Sequence, residues 1–143
     1  MIYDTQSLFS DAQAVTATAA STNVIDLGVP GTPMHAAGAI TQDVGRGREI
    51  PIRVQVVEAF NNLTTLTIAV QIDTVENFAS PKTVMTIAVP LASLAAGYVL
   101  PVQYLPLGTN EQFVRLNYTV TGTAPTTGKI TAGLVFGNEN WSA

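Results

Sequence analysis

The 143-residue sequence predicts a single all-β domain spanning residues 1–143, an antiparallel β-sandwich of about eight strands of jelly-roll type. Three observations predict it. Nineteen threonines, sixteen valines and nine isoleucines make about three residues in ten β-branched, a composition that suits pleated, half-buried surfaces and disfavours a helical bundle. Apolar residues alternate with polar or small ones over short runs. Turn signals fall between those runs, at Asn61-Asn62, Ser80-Pro81, Gly97, Gly108-Thr109-Asn110 and Gly122–Gly128.

The first element, Gln13–Thr18, is ambiguous: its alanines and a capping Ser10 suit a helix, whereas Val15, Thr16 and Thr18 tip it towards strand. Asn23–Leu27 is a short strand. Gly28–Glu49 then runs twenty-two residues with five Gly and two Pro and no sustained periodicity, a loop of the length that is functional or disordered in compact domains. Ile50–Val57, Thr83–Val89 and Tyr98–Tyr104 are apolar on both faces in places, as in strands buried between layers or at a subunit contact. The clearest alternation is Leu66, Ile68, Val70 and Ile72 against Thr65, Thr67, Ala69, Gln71 and Asp73. Val114, Leu116, Tyr118 and Val120 repeat it, and so do Ile130, Ala132, Leu134 and Phe136. A short helical turn at Leu91–Ala96 is opened by Pro90 and closed by Gly97.

Charge is scarce. Only 11% of residues are charged, against about 25% in an ordinary soluble domain, and 47% are hydrophobic. Six basic against ten acidic residues give a net charge of −4 with no basic stripe, which argues against nucleic-acid binding. The absence of cysteine excludes thiolate catalysis and cysteine-held metals. Met1–Asp11 has two acids and no early Lys or Arg, so no secretory signal is expected there. The twenty-eight uncharged residues between Lys82 and Glu111 are long enough for a membrane span, but Pro90, Pro101 and Pro106 break any helix at about 3 kcal/mol each, and no membrane partner is expected.

Chemistry-bearing motifs are few. His35 is the only histidine, no G-x-S-x-G elbow accompanies it, and a solvated loop residue is the simpler reading. A zinc site would have to be mostly carboxylate, and neither a phosphate-cradling loop nor a calcium loop is present, so no cofactor or metal is expected. A hydrolase with a hidden carboxylate pair would draw on Asp26, Asp73 or Glu58; acids at strand ends more often bond turn backbone. What remains is a cluster of cations. Arg46, Arg48 and Arg53 are half of the basic residues, bracketed by Asp43 and Glu49, and serve either as interface contacts or in local ion pairs. Tyr3 and Trp141 near the two ends either dock on their own domain or anchor a partner.

Four blocks, Phe9–Gly28 (FSDAQAVTATAASTNVIDLG), Asp43–Phe60 (DVGRGREIPIRVQVVEAF), Pro90–Gly97 (PLASLAAG) and Val114–Val135 (VRLNYTVTGTAPTTGKITAGLV), resemble in order segments of the capsid cement, or decoration, proteins of short-tailed bacteriophages. The resemblance implies a jelly-roll structural protein without enzymatic activity on the outer surface of an icosahedral head. Its implied partners are the major capsid protein and further copies of itself, as a homodimer or trimer. The second reading of the same architecture is a jelly-roll carbohydrate-binding module.

Overall fold

A computed structural model describes residues 2–137. Eight strands follow in order: β1 (Tyr3–Ala14), β2 (Ala19–Ala20), β3 (Ile25–Asp26), β4 (Ile52–Glu58), β5 (Leu63–Asp73), β6 (Lys82–Pro90), β7 (Phe113–Gly122) and β8 (Lys129–Val135). They form two antiparallel sheets. One has three strands in the order β1-β8-β4; the other has five, with β2 and β3 both on β7, then β5 and β6.

The two sheets meet over one apolar core. Ile52, Val54 and Val56 of β4 and Ile130 and Ala132 of β8 face Leu66, Ile68, Val70 and Ile72 of β5 and Val114, Leu116 and Tyr118 of β7. Alternation is the cause, because a period of two gives each strand one buried face. β5 and β7 pair without a break from Thr65–Thr121 to Asp73–Phe113. The chain crosses between the sheets four times: β1 is followed by β2 and β3 opposite, β4 returns, β5, β6 and β7 lie opposite again, and β8 returns.

Several sequence expectations need correction. The strand expected at Gln13–Thr18 is instead the end of a long β1, and residues 15–18 connect it to β2. Tyr98–Tyr104 is not a continuous strand: it runs beside β4 and the residues before it through the isolated bridges Gln55–Val99 and Pro51–Tyr104 and through separate backbone bonds, among them Val56 N–H to Tyr98 O at 2.8 Å and Leu100 N–H to Val54 O at 3.0 Å. Pro101 lies between the two bridges, and proline has no N–H for a ladder. Asn23–Leu27 shortens to Ile25–Asp26, and the helical turn to a single 3₁₀ turn over Leu91–Ser93, entered from Pro90. Phe136 does not face the core; it is exposed while Val135 is buried, so the inward phase of β8 changes at its end. No helix among the described residues is long and apolar enough to cross a membrane.

Candidate functional site

Gly28–Glu49 contains no strand or helix, yet it is held at both ends. Asp26 accepts the Gly28 N–H at 2.8 Å, and Gln42 donates to the Leu27 carbonyl at 3.2 Å. Ile40 N–H reaches the Gly31 carbonyl at 3.0 Å and closes the tip on itself. The second half is pinned to the turn at Pro106–Thr109. Asp43 accepts the Gly45 N–H at 3.0 Å and the Gly108 N–H at 3.1 Å, and Val44 N–H donates to Thr109 O at 3.1 Å. Gly45 lies so close to the Pro106 carbonyl that a Cβ could not be accommodated there. Thr109, fully buried, donates to Pro106 O at 2.7 Å and fixes the turn from beneath.

Residues 31–40 are all exposed on this tethered loop. It presents large apolar side chains to solvent: Val29 is 75% exposed, Met34 87% and Ile40 55%, with Leu107 at 64% on the pinning turn. Single exposed apolar residues are ordinary; here four large ones are left uncovered on one loop and its anchoring turn. Arg46 and Arg48 stand exposed on the same loop, and neither forms an ion pair among the described residues. Local pairing with Asp43 and Glu49, one reading of the cation cluster, does not occur among the described residues, and the Asp43 carboxylate is taken by backbone N–H groups.

The other expected contacts separate. Arg53 is on β4 opposite Gly133, on the side of the three-stranded sheet away from the core, and does not join Arg46 and Arg48. Tyr3 sits on β1 opposite Val135, and its half-covered ring docks on its own domain. Burial pushes the Tyr3 phenol up, and the Arg53 charge partly opposes this. Trp141 lies outside the described residues. The three acids weighed as a catalytic pair all serve the fold. Asp26 holds Gly28 and Gln112, Glu58 pairs with Lys129 at 2.9 Å, and Asp73 accepts the Val75 and Ser80 N–H groups of the β5–β6 turn.

The family model Bbp16 matches residues 9–134. The chain belongs to the Bbp16 family. The Bbp16 match begins within β1 and ends within β8, so it takes in both sheets and the whole of the tethered loop. No curated protein matches the chain.

Composition and turn signals flagged the loop, but not its apolar display. Val29, Met34 and Ile40 are isolated in sequence, and Leu107 belongs to a separate turn that the loop reaches only at Gly45. The signal that could have found them is the presence of large apolar residues in a segment without periodicity.

Proposed function

We propose that this protein is a structural virion component, a cement protein that binds the outside of an icosahedral phage head and clamps neighbouring major capsid subunits without enzymatic activity. The observation that carries the reading is the tethered loop Gly28–Glu49, which holds exposed Val29, Met34 and Ile40 together with exposed Arg46 and Arg48, neither of which forms an ion pair among the described residues. A preordered loop loses less entropy on binding than a free one, and arginine beside apolar side chains is a composition enriched at protein contacts. The repeated crossing of the chain between the two sheets supports a jelly-roll winding, in which residues 98–105 act as an incomplete eighth partner beside β4 and the β2 and β3 segments share one position. Such a rigid sandwich suits a clamp. Repeated contacts on a symmetric shell turn weak patches into firm attachment.

The test mixes purified protein with undecorated heads and measures binding and resistance to heat. Arg46→Ala with Arg48→Ala should weaken attachment by about fivefold to thirtyfold, the loss of one to two contacts of about 1 kcal/mol each. The melting temperature should be unchanged, because neither side chain holds the fold. Failure of the unaltered protein to bind heads would end the proposal. A carbohydrate-binding module is the second reading, supported by the exposed aromatics Tyr104 and Phe136. A glycan-array signal at micromolar affinity, without binding to heads, would put it first.

A further inference from the structure

The backbone beneath Arg46 is fixed while its side chain is not. Arg46 N–H donates to the Asp43 carbonyl at 3.1 Å and closes residues 43–46 as a hydrogen-bonded turn. The Asp43 carboxylate then ties that turn to the Gly108 N–H of the neighbouring one. The Arg46 guanidinium is exposed and forms neither an ion pair nor a hydrogen bond among the described residues.

The two turns border a cavity of about 320 Å³ lined by Thr41, Asp43, Arg46 and Asn110. Asn110 is held through its backbone, whose N–H donates to the Gly108 carbonyl at 3.0 Å. Thr41 stands between Ile40, bonded to Gly31, and Gln42, bonded to Leu27. Neither the Asn110 carboxamide nor the Thr41 hydroxyl has a hydrogen-bond partner among the described residues. Three side chains able to donate thus line one space in which nothing accepts from them. Asp43 does not fill that role, because its oxygens already accept the Gly45 and Gly108 N–H groups.

We propose that this cavity receives one carboxylate, an Asp or Glu side chain of the protein to which the loop attaches, gripped by the planar fork of Arg46 and by donors from Asn110 and Thr41. The inference rests on the attachment reading and adds the chemistry of its partner. Charge selects this occupant. A carboxylate gives Arg46 the counter-charge it lacks and accepts from both neutral donors. A neutral amide supplies no counter-charge, and a cation meets Arg46 as a like charge. The fixed charge of Asp43 beside the same space limits the gain to an anion of single charge and counts against phosphate. The volume lies at the lower end of the roughly 300–1,000 Å³ of small-molecule pockets, and suits one side chain.

The experiment has two arms on the full chain. The first titrates N-acetyl-glutamate methylamide and follows the side-chain N–H signals of Arg46 and Asn110 by NMR. Both should move along one saturating curve with a Kd on the order of 1–10 mM, while N-acetyl-glutamine methylamide leaves them in place and inorganic phosphate binds more weakly. The second measures attachment to undecorated heads. Asn110→Asp sets a further negative charge on the cavity wall and should weaken attachment about tenfold; Asn110→Ala, which only removes the donor, should weaken it about threefold. The melting temperature should be unchanged in both, because the Asn110 side chain bonds nothing in the fold. In an Arg46→Ala background the Asn110→Asp loss should shrink to less than about threefold, since both residues act on one carboxylate. Glutamate that moves neither signal, glutamine that moves both equally, phosphate that binds as tightly, or losses that simply add overturn the proposal. Any of these with heads still bound leaves the attachment standing; glutamate-specific shifts without head binding keep the carboxylate site and end the attachment.

Discussion

At the scale of single residues, the polar interior of the sandwich is a short relay. Tyr118, wholly buried on β7, reaches Ser10 on β1 at 2.8 Å, and Ser10 donates onward to Gln13 at 2.7 Å. Because the Ser10 proton goes to Gln13, Tyr118 is the donor across the sandwich. Gln13 in turn accepts the Thr22 N–H and donates to the Ala20 carbonyl, which fixes the turn leading to β3. Tyr118→Phe leaves Ser10 one donor short and should cost about 1 kcal/mol, or roughly 2–4 °C in melting temperature by calorimetry. Burial holds the Tyr118 phenol far above its ordinary value of 10.0, with the Ser10 bond opposing. Its neutral form is thus the folded form, and stability should fall as pH climbs past that value. Asp73 has the opposite sign. Burial pushes its carboxyl up, but the Ser80, Val75 and Thr74 N–H groups and the Thr74 hydroxyl outweigh it and hold it below the ordinary 3.8. Its contribution is intact at neutral pH and lost as pH falls through the acid range. Melting measured from about pH 5 down to about pH 3 should decline less steeply for Asp73→Asn than for the unaltered protein.

Among elements, the tethered loop is the one whose geometry can be broken without touching the core. Gly45→Ala drives a Cβ into the Pro106 carbonyl, backbone that cannot rotate away, so the loop must lift from its anchor. Limited proteolysis within residues 31–48 should accelerate severalfold while the sandwich still melts cooperatively. Cleavage at the unaltered rate would show that the loop is held elsewhere. The interior strands were legible in sequence: the apolar residues of β5 and β7 recur every second position because each lies inside its sheet with the core on one side, although Ala69 and Asp73 on the other face of β5 are buried too. β1 was not, since its register irregularities and the positive φ of Ala12 interrupt the period that would have marked it. Tyr98–Tyr104 reads as a strand by hydrophobicity, yet the proline in its middle interrupts the ladder beside β4 and leaves separate bridges and backbone bonds on either side. The loop was legible by its boundaries, but its apolar surface was not, because exposure of Met34 or Leu107 depends on what the rest of the chain leaves uncovered.

For the molecule as a whole, sparse charge and a threonine-rich surface are consistent with a protein that works packed against others. Attachment led by apolar side chains with two arginines should depend weakly on salt. Raising ionic strength from about 0.1 M to 1 M shortens the screening length from about 10 Å to about 3 Å, and should weaken head binding by less than about tenfold. A steeper loss would transfer the contact to the charged residues. The pairing of β1 with β8 has a consequence for synthesis. β8 lies between β1 and β4, so the three-stranded sheet has no middle until residues 129–135 exist. On a ribosome, β1 must wait for a partner more than a hundred residues away, while the β5–β6 hairpin can form early from local contacts. Closure of the sandwich is therefore a late event that waits for β8, and a chain interrupted before β8 would leave β1 and β4 without the strand that joins them.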